Sequence, residues 1–175
     1  MPSVEAALAL DFWQVLALTK AHRREGFDCG EEALNDYLQS FISQDSRRSL
    51  TRAFVLTRGD APKVLGFYTL SALSVYRDRF PASVAMKLPR YPIPAVLLGR
   101  LAVDRSVQGK KLGEYLLIDA LKRVAAASAT IGVHAVVVDA LNERAAAYYL
   151  GFGFAAFHGH PLTLFLPLET VLKLP

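Results

Sequence analysis

One cysteine, Cys29, stands among 175 residues. An internal disulfide and a CxxC metal site are thereby excluded, no metal centre is expected, and a reducing cytoplasm is the setting that fits. Long apolar runs are lacking too. A helix needs about 20 mainly apolar residues to cross a bilayer, and the greasiest stretch, Ala6–Leu18, is interrupted by Asp11, follows Glu5 and has no basic residue before it. Neither a membrane span nor a signal peptide is predicted. There are no repeats, low-complexity tracts or linker-like segments, and the length suits one α/β domain over residues 1–175. A hydrophobic fraction of 53% against 21% charged residues is that of a packed chain, not a disordered one.

Negative charge is scarce in one part of the chain. From Arg47 to Lys111 there are thirteen Lys and Arg but only Asp60, Asp78 and Asp104, a local balance of +10; the remainder carries −6 and the whole +4. Such segregation creates a positive face for a polyanion if folding keeps these side chains together, and nothing of the kind if it scatters them.

Apolar spacing at Leu34, Tyr37, Leu38, Phe41 and Ile42 predicts a helix, with Asp28-Cys29-Gly30 as a capping turn before it. Thr51–Thr57 and Val64–Val75 read as strands of an antiparallel hairpin around the turn residues Arg58-Gly59-Asp60-Ala61-Pro62. Four prolines make 76–94 irregular, with at most one short helix near Ser83–Lys87. Ala95–Val103 is a nearly continuous apolar run, the pattern of a strand buried on both faces. Gly113–Ala127 follows as an amphipathic helix with Tyr115, Leu116, Ile118, Leu121 and Val124 as its expected buried face. Ala135–Ala140 is another buried strand, Glu143–Leu150 a short helix ended by Gly151 and Gly153, and Leu162–Leu166 a last strand. The alternation predicts an α/β fold, a mixed sheet flanked by helices.

The chemistry concentrates in Leu98-Gly-Arg-Leu-Ala-Val-Asp-Arg-Ser-Val-Gln-Gly-Lys-Lys-Leu-Gly113. A strand runs into a short loop that opens a helix, whose first N–H groups have no intrahelical partner and sit at the positive end of the dipole, so the place suits a phosphate. Gly109 and Gly113 let the backbone come close, and Lys110 and Lys111 add charge; an ordinary βα turn with solvated lysines has the same composition. Further on, Asn142 follows the strand Ala135–Ala140, and Tyr149 stands seven residues later before Gly-Phe-Gly-Phe.

Together these segments resemble the GNAT acetyltransferases, whose Gln/Arg-x-x-Gly-x-Gly/Ala loop cradles the pyrophosphate of acetyl-CoA. The resemblance implies the GNAT fold, with Gln108, Gly109, Lys110, Leu112 and Gly113 along the pyrophosphate. It places Leu101, Ala102 and Val103 on the pantetheine and acetyl group, Asn142 near the pantetheine arm, and Tyr149 as the acid that protonates the departing thiolate. Lys111 occupies the first motif glycine's place, where it either crowds a turn that needs φ > 0 or adds charge to the phosphates. Tyr148 faces another way on the helix and is expected to pack. The run Ala95–Val103 holds no carboxylate. A lysine amine, with a pKa of about 10.4, needs a strong base, whereas an α-amine near about 8 needs far less help, so the substrate leans toward an α-amine.

Several phrases in order are similar to one branch of that family: Phe27-Asp-Cys-Gly30, Leu34-Asn-Asp-Tyr-Leu38, Gln44-Asp45, Gly66-Phe-Tyr-Thr-Leu-Ser-Ala72, Leu88-Pro-Arg-Tyr-Pro-Ile-Pro94 and Leu98-Gly-Arg-Leu-Ala-Val-Asp104. They resemble the acetyltransferase toxins of bacterial type II toxin–antitoxin pairs. That resemblance implies acetylation of aminoacyl-tRNA, a block of translation, a homodimer and a ribbon–helix–helix antitoxin. A tRNA partner accounts for the basic segment, since phosphate neutralisation supplies most sequence-independent affinity; Arg47, Arg48, Arg52, Lys87, Arg90 and Arg100 are its candidates as a group, with Lys111 shared between CoA and RNA. Two other readings stay open. One is a GNAT enzyme acting on a small amine or a protein N-terminus; the other is a non-catalytic protein that binds acyl-CoA or the antitoxin.

Overall fold

The computed structural model describes residues 12–175, so the first part of the apolar stretch Ala6–Leu18 lies outside the described residues. Seven strands form one mixed sheet in the order β1-β2-β3-β4-β5-β7-β6. By their contacts the residues fall into two compact units, with β3, β4 and the long helix each contributing to both.

The first unit takes the chain up to Thr69 together with Arg100–Asp119. β1 (Trp13–Ala17), which the periodicity did not reveal, pairs antiparallel with β2 (Arg52–Arg58) from Trp13↔Arg58 to Ala17↔Phe54. β3 (Gly66–Val75) begins here, next to β2. The expected helix is longer than its apolar spacing: α1 (Glu32–Asp36), a π-helical turn over Tyr37–Phe41 and α2 (Ile42–Arg47) run on without a break. The π turn buries Tyr37 and Leu38 beside Ile42, and these three pack on Phe27, Val55, Phe67 and Ala102. Asp28-Cys29-Gly30 does not cap α1; Glu31 is the N-cap, and Asp28 is used elsewhere, as described below.

The second unit takes Leu70–Gly99 and Ala120–Pro175. Its proline-rich segment is more ordered than its composition suggests. A 3₁₀ turn at Arg77–Arg79 and helix α3 (Ala82–Ala85) are tied down by Phe80, which makes edge-on ring contacts at 5.0 Å with both Phe157 and Phe165. β4 (Ile93–Val103) pairs parallel with β5 (Ala135–Asp139) only from Ala95 to Leu98. β5 pairs antiparallel with β7 (His160–Pro167), and β7 with the short β6 (Ala155–Phe157). A terminal turn of helix, α6 (Leu168–Val171), closes the chain's last part and buries Val171.

Two expectations about burial are corrected. β4 is not buried on both faces: Ile93, Ala95, Leu98 and Ala102 are buried, whereas Leu97 is half-exposed within the β5 ladder, and Arg100, Leu101 and Val103 are half-exposed beyond Leu98, where that ladder ends. On the long helix α4 (Leu112–Ala127), Leu116, Leu121 and Val124 are buried as expected, but Leu112, Leu117 and Ala120 complete the inward face and Tyr115 and Ile118 look outward.

Candidate active site

The loop from β4 into α4 is held by a carboxylate. Asp104 is buried, with its oxygens accepting from the Asp28 N–H at 3.0 Å, the Ser106 N–H at 3.0 Å and the Ser106 hydroxyl at 2.6 Å. Burial alone would raise its pKa; the Ser106 and Asp28 hydrogen bonds, with the charge of Lys63, outweigh that and hold the carboxyl below its ordinary range. Asp28 in turn accepts from the Gly30 N–H and the Asn35 carboxamide, and its second oxygen lies 3.5 Å from the Arg105 guanidinium. Those contacts, the Gly30 N–H first, hold Asp28 below the usual carboxylate range. The phrase Phe27–Gly30 is therefore a clasp that fixes the 104–108 turn.

Gln108 completes the clasp: its Nε2 donates to the Val103 carbonyl at 2.8 Å and to the Cys29 carbonyl at 3.0 Å. The next residues turn into the left-handed region, Gly109 at φ +83° and Lys111 at φ +60°, before α4 begins at Leu112. A Cβ built on Gly109 would meet nothing within 4 Å, so the loop surface is open there, and Gly109, Lys110 and Lys111 are all exposed. An L-residue in this region costs roughly 1–2 kcal/mol, yet the turn adopts it at Lys111. Backbone N–H groups, two cations and an open approach at a helix start are a fit for a diphosphate.

Tyr149 belongs to α5 (Glu143–Gly151). Asn142 caps that helix, its side-chain oxygen accepting from the Ala145 N–H at 2.9 Å, which leaves the carboxamide NH₂ for other use. The helix ends as the N–H groups of Phe152 and Phe154 both close on the Tyr149 carbonyl, with Gly153 at φ +97° making the reversal. Tyr149 is 9% exposed and lies edge-on to Tyr148 and Phe154 at ring distances of 5.5 and 5.4 Å. Desolvation, then the neighbouring Tyr148 phenol, pushes its pKa up to about 12. Tyr148 itself packs on Tyr149 and Phe152 while staying partly exposed.

The basic candidates do not gather on one unit. Arg47 and Arg48 are exposed at the end of α2, and Arg52 donates to the Ser46 and Thr51 carbonyls. Arg100 is half-buried with its guanidinium 3.5 Å from the centre of the Tyr37 ring, while the Tyr37 hydroxyl donates to Asp45 at 2.9 Å. These four belong to the first unit; Lys87 and Arg90, both exposed, belong to the second. Sequence reasoning missed Asp28, Asp104 and Ser106. The Asp-x-Ser at the end of an apolar run was the available signal, since Asp side chains take backbone N–H groups two residues on.

A glycine- and lysine-bearing loop between a half-paired strand and a helix start, and a buried tyrosine on the helix after the next strand, belong to a mixed-sheet α/β fold. The chain belongs to the Acetyltransferase (GNAT) family, whose signature spans residues 15–154. It is 40% identical over 143 residues to the tRNA-acetylating toxin of Mycobacterium tuberculosis, covering 82% of this chain and 84% of that protein. Among solved structures it is similar to AtaT complexed with acetyl-methionyl-tRNAfMet, with a TM-score of 0.85 and 37% identity over 92% of this chain and 98% of that one. It is also similar to a tyrosine-to-phenylalanine mutant of the AtaT toxin bound to acetyl-CoA and the C-terminus of the antitoxin AtaR, with a TM-score of 0.78 and 35% identity over 91% and 95%.

Proposed function

We propose that this protein is a toxin that moves an acetyl group from acetyl-CoA to the α-amine of aminoacyl-tRNA and so blocks translation. Family membership supports acetyl transfer, and the named substrate of the mycobacterial relative supports the acceptor. The observation that carries the reading is Tyr149, a desolvated phenol that keeps its proton to about 12. Acetyl-CoA, when bound, supplies an acetyl group activated as a thioester. Gly109, Lys110, Lys111, Leu112 and Gly113 hold its pyrophosphate at the start of α4, with Gln108 keeping the loop closed. The backbone of Leu101–Val103, beyond the paired part of β4, serves the pantetheine and acetyl carbonyl, and the Asn142 carboxamide NH₂ serves the pantetheine arm.

Its raised pKa keeps Tyr149 protonated at every physiological pH, so the phenol is available to give its proton to the thiolate as the carbon–sulfur bond breaks. No carboxylate lies on β4. An ester-linked α-amine has a substantial neutral fraction near pH 7 and needs no such base. Arg47, Arg48, Arg52, Lys87, Arg90 and Arg100 supply the cationic surface for the RNA. The whole chain acts as one catalytic domain, works in the cytoplasm as a homodimer, and is neutralised by a ribbon–helix–helix antitoxin. Among the described residues no helix is long and apolar enough to cross a membrane.

Incubation with labelled acetyl-CoA and aminoacylated tRNA tests the reading. Label that leaves the tRNA on mild deacylation, as the acetylated amino acid, is the expected result. Label only on small amines or peptides, or acetyl-CoA binding with no transfer, refutes it.

A further inference from the structure

Two cavities of the second unit have, apart from Arg90, no part in anything described so far. The first, about 540 Å³, is lined by Tyr76, Arg77, Asp78, Arg79 and Arg90. Tyr76 is 66% exposed, and none of the three guanidinium groups has an ion-pair partner among the described residues. Only Arg90 was foreseen from the sequence; Arg77 and Arg79 are brought beside it by the 3₁₀ turn that Phe80 anchors. The second cavity is smaller, about 260 Å³, and is lined by Leu73, Leu97, Val137 and Phe157 with Asp139 and Arg79 among its polar groups. Asp139 is the last residue of β5, and one of its oxygens accepts from the Thr163 hydroxyl at 3.1 Å. Arg79 lines both cavities.

Their chemistries differ in a way that matches one composite ligand. Three arginines with no ion pair among the described residues, beside an exposed tyrosine and one carboxylate, Asp78, suit a nucleotide: guanidinium forks bind phosphate oxygens, and an aromatic face stacks an unpaired base. The second cavity falls below the ~300–1,000 Å³ of ordinary ligand pockets and has a mixed lining, with Leu73, Val75, Leu97, Val137 and Phe157 beside Ser74, Arg79, Asp139 and Thr163, which suits one amino-acid residue with its side chain and its α-amine. We propose that the two cavities together are the acceptor site. The arginine cavity takes the 3′-terminal nucleotide of the aminoacylated strand, and the smaller, mixed cavity takes the amino acid attached to it, its side chain against Leu73, Leu97, Val137 and Phe157. Asp139 then favours the α-amine at the border of that cavity and disfavours an acidic side chain. The proposal rests on the aminoacyl-tRNA reading and adds to it where the acceptor lies and what it selects.

The test uses the full chain, without acetyl-CoA in the RNA-binding assay, and a hydrolysis-resistant RNA hairpin whose 3′ end carries an amide-linked leucine. Replacing Arg77, Arg79 and Arg90 together by Gln is expected to weaken RNA binding by about tenfold or more. The slope of log affinity against log salt should fall by about 0.7 for each phosphate no longer neutralised, while acetyl-CoA affinity stays as in the wild type. Leu97→Phe, at the half-exposed wall of the small cavity, is expected to shift turnover from leucyl- toward glycyl-tRNA by about tenfold. RNA affinity and salt slope unchanged in the triple variant, or an unchanged amino-acid preference in L97F, overturns the site. If the wild type transfers acetyl to aminoacyl-tRNA and these variants match it, the site falls and the substrate reading stands. If the wild type transfers none, both fall.

Discussion

Lys111 offers a perturbation in which strain and charge separate. Its backbone sits at φ +60°, where a Cβ costs roughly 1–2 kcal/mol. Lys111→Gly removes that cost but gives the unfolded chain more freedom, which returns about 0.4–1 kcal/mol. The net expectation is a protein more stable by about 0.5–1 kcal/mol, a rise of roughly 1–4 °C in melting temperature for a chain of this length. Lys111→Ala keeps the strain and loses the charge, so it should be less stable than the glycine variant by about 1 kcal/mol. Both variants lose the same exposed cation beside the phosphate cradle. An exposed ion pair is worth up to about 1 kcal/mol, so both should bind acetyl-CoA about two- to fivefold more weakly at low salt, with the gap closing as salt rises. Denaturant unfolding reads the first quantity and calorimetric titration with acetyl-CoA the second. An alanine variant as stable as the glycine variant would refute the strain. A salt-independent loss of affinity, or a loss in only one variant, would refute the charge.

Tyr149→Phe keeps the ring contacts to Tyr148 and Phe154 and removes the proton, so turnover should fall about 100-fold or more while acetyl-CoA affinity is unchanged. An unaltered rate removes Tyr149 from its role. With the phenol titrating at about 12, the wild-type rate should rise with pH as the acceptor amine becomes neutral and show no descending limb until the pH nears that value. The same shift makes a stability statement: a group raised in the folded state stabilises it fully below its unfolded value of about 10, and that contribution is lost as pH climbs through about 12. Asp104→Asn turns one acceptor oxygen of a buried side chain into a donor facing other donors, which should cost about 1–3 kcal/mol in denaturant unfolding and loosen the phosphate loop. Because the Asp104 carboxyl is depressed, its contribution is present above its unfolded pKa and disappears as pH falls through the lower folded value; the Asp104→Asn variant should lack that acid-side loss. Asn142→Ala should cost about 1 kcal/mol through the lost cap. Asn142→Asp should restore stability yet still raise KM for acetyl-CoA if the carboxamide NH₂ meets the pantetheine.

Where the sequence could be read and where it could not follows from the range of each interaction. The strands Arg52–Arg58, Gly66–Val75 and Ala135–Asp139 and the helix Leu112–Ala127 fall within a residue or two of where the apolar patterning put them, because that patterning is local. The facing of α4 was not legible. Tyr115, Leu116, Leu117 and Ile118 are consecutive apolar residues spread over about 300° of the helix, so periodicity does not decide among them, and the choice of Leu117 over Ile118 is made by the core they meet. β1 is five residues long and only partly buried, which leaves too little contrast for an alternating signal. The phosphate loop was visible as a composition, but what shapes it is a carboxylate at 104 bonded to a backbone N–H at 28, a pairing 76 residues apart that no window contains. Arg100 shows what a charge count leaves out. Its place in a basic run suggested RNA, and the fold adds that its guanidinium lies on the Tyr37 ring, whose hydroxyl donates to Asp45. An arginine already stacked on a ring gives up part of that interaction to reach a phosphate, whereas Arg77, Arg79 and Arg90 have no ion pair to break among the described residues. Charge counted along the chain therefore ranks these residues equally, and only their partners in the fold tell a cation stacked on a ring from one with no ion pair among the described residues.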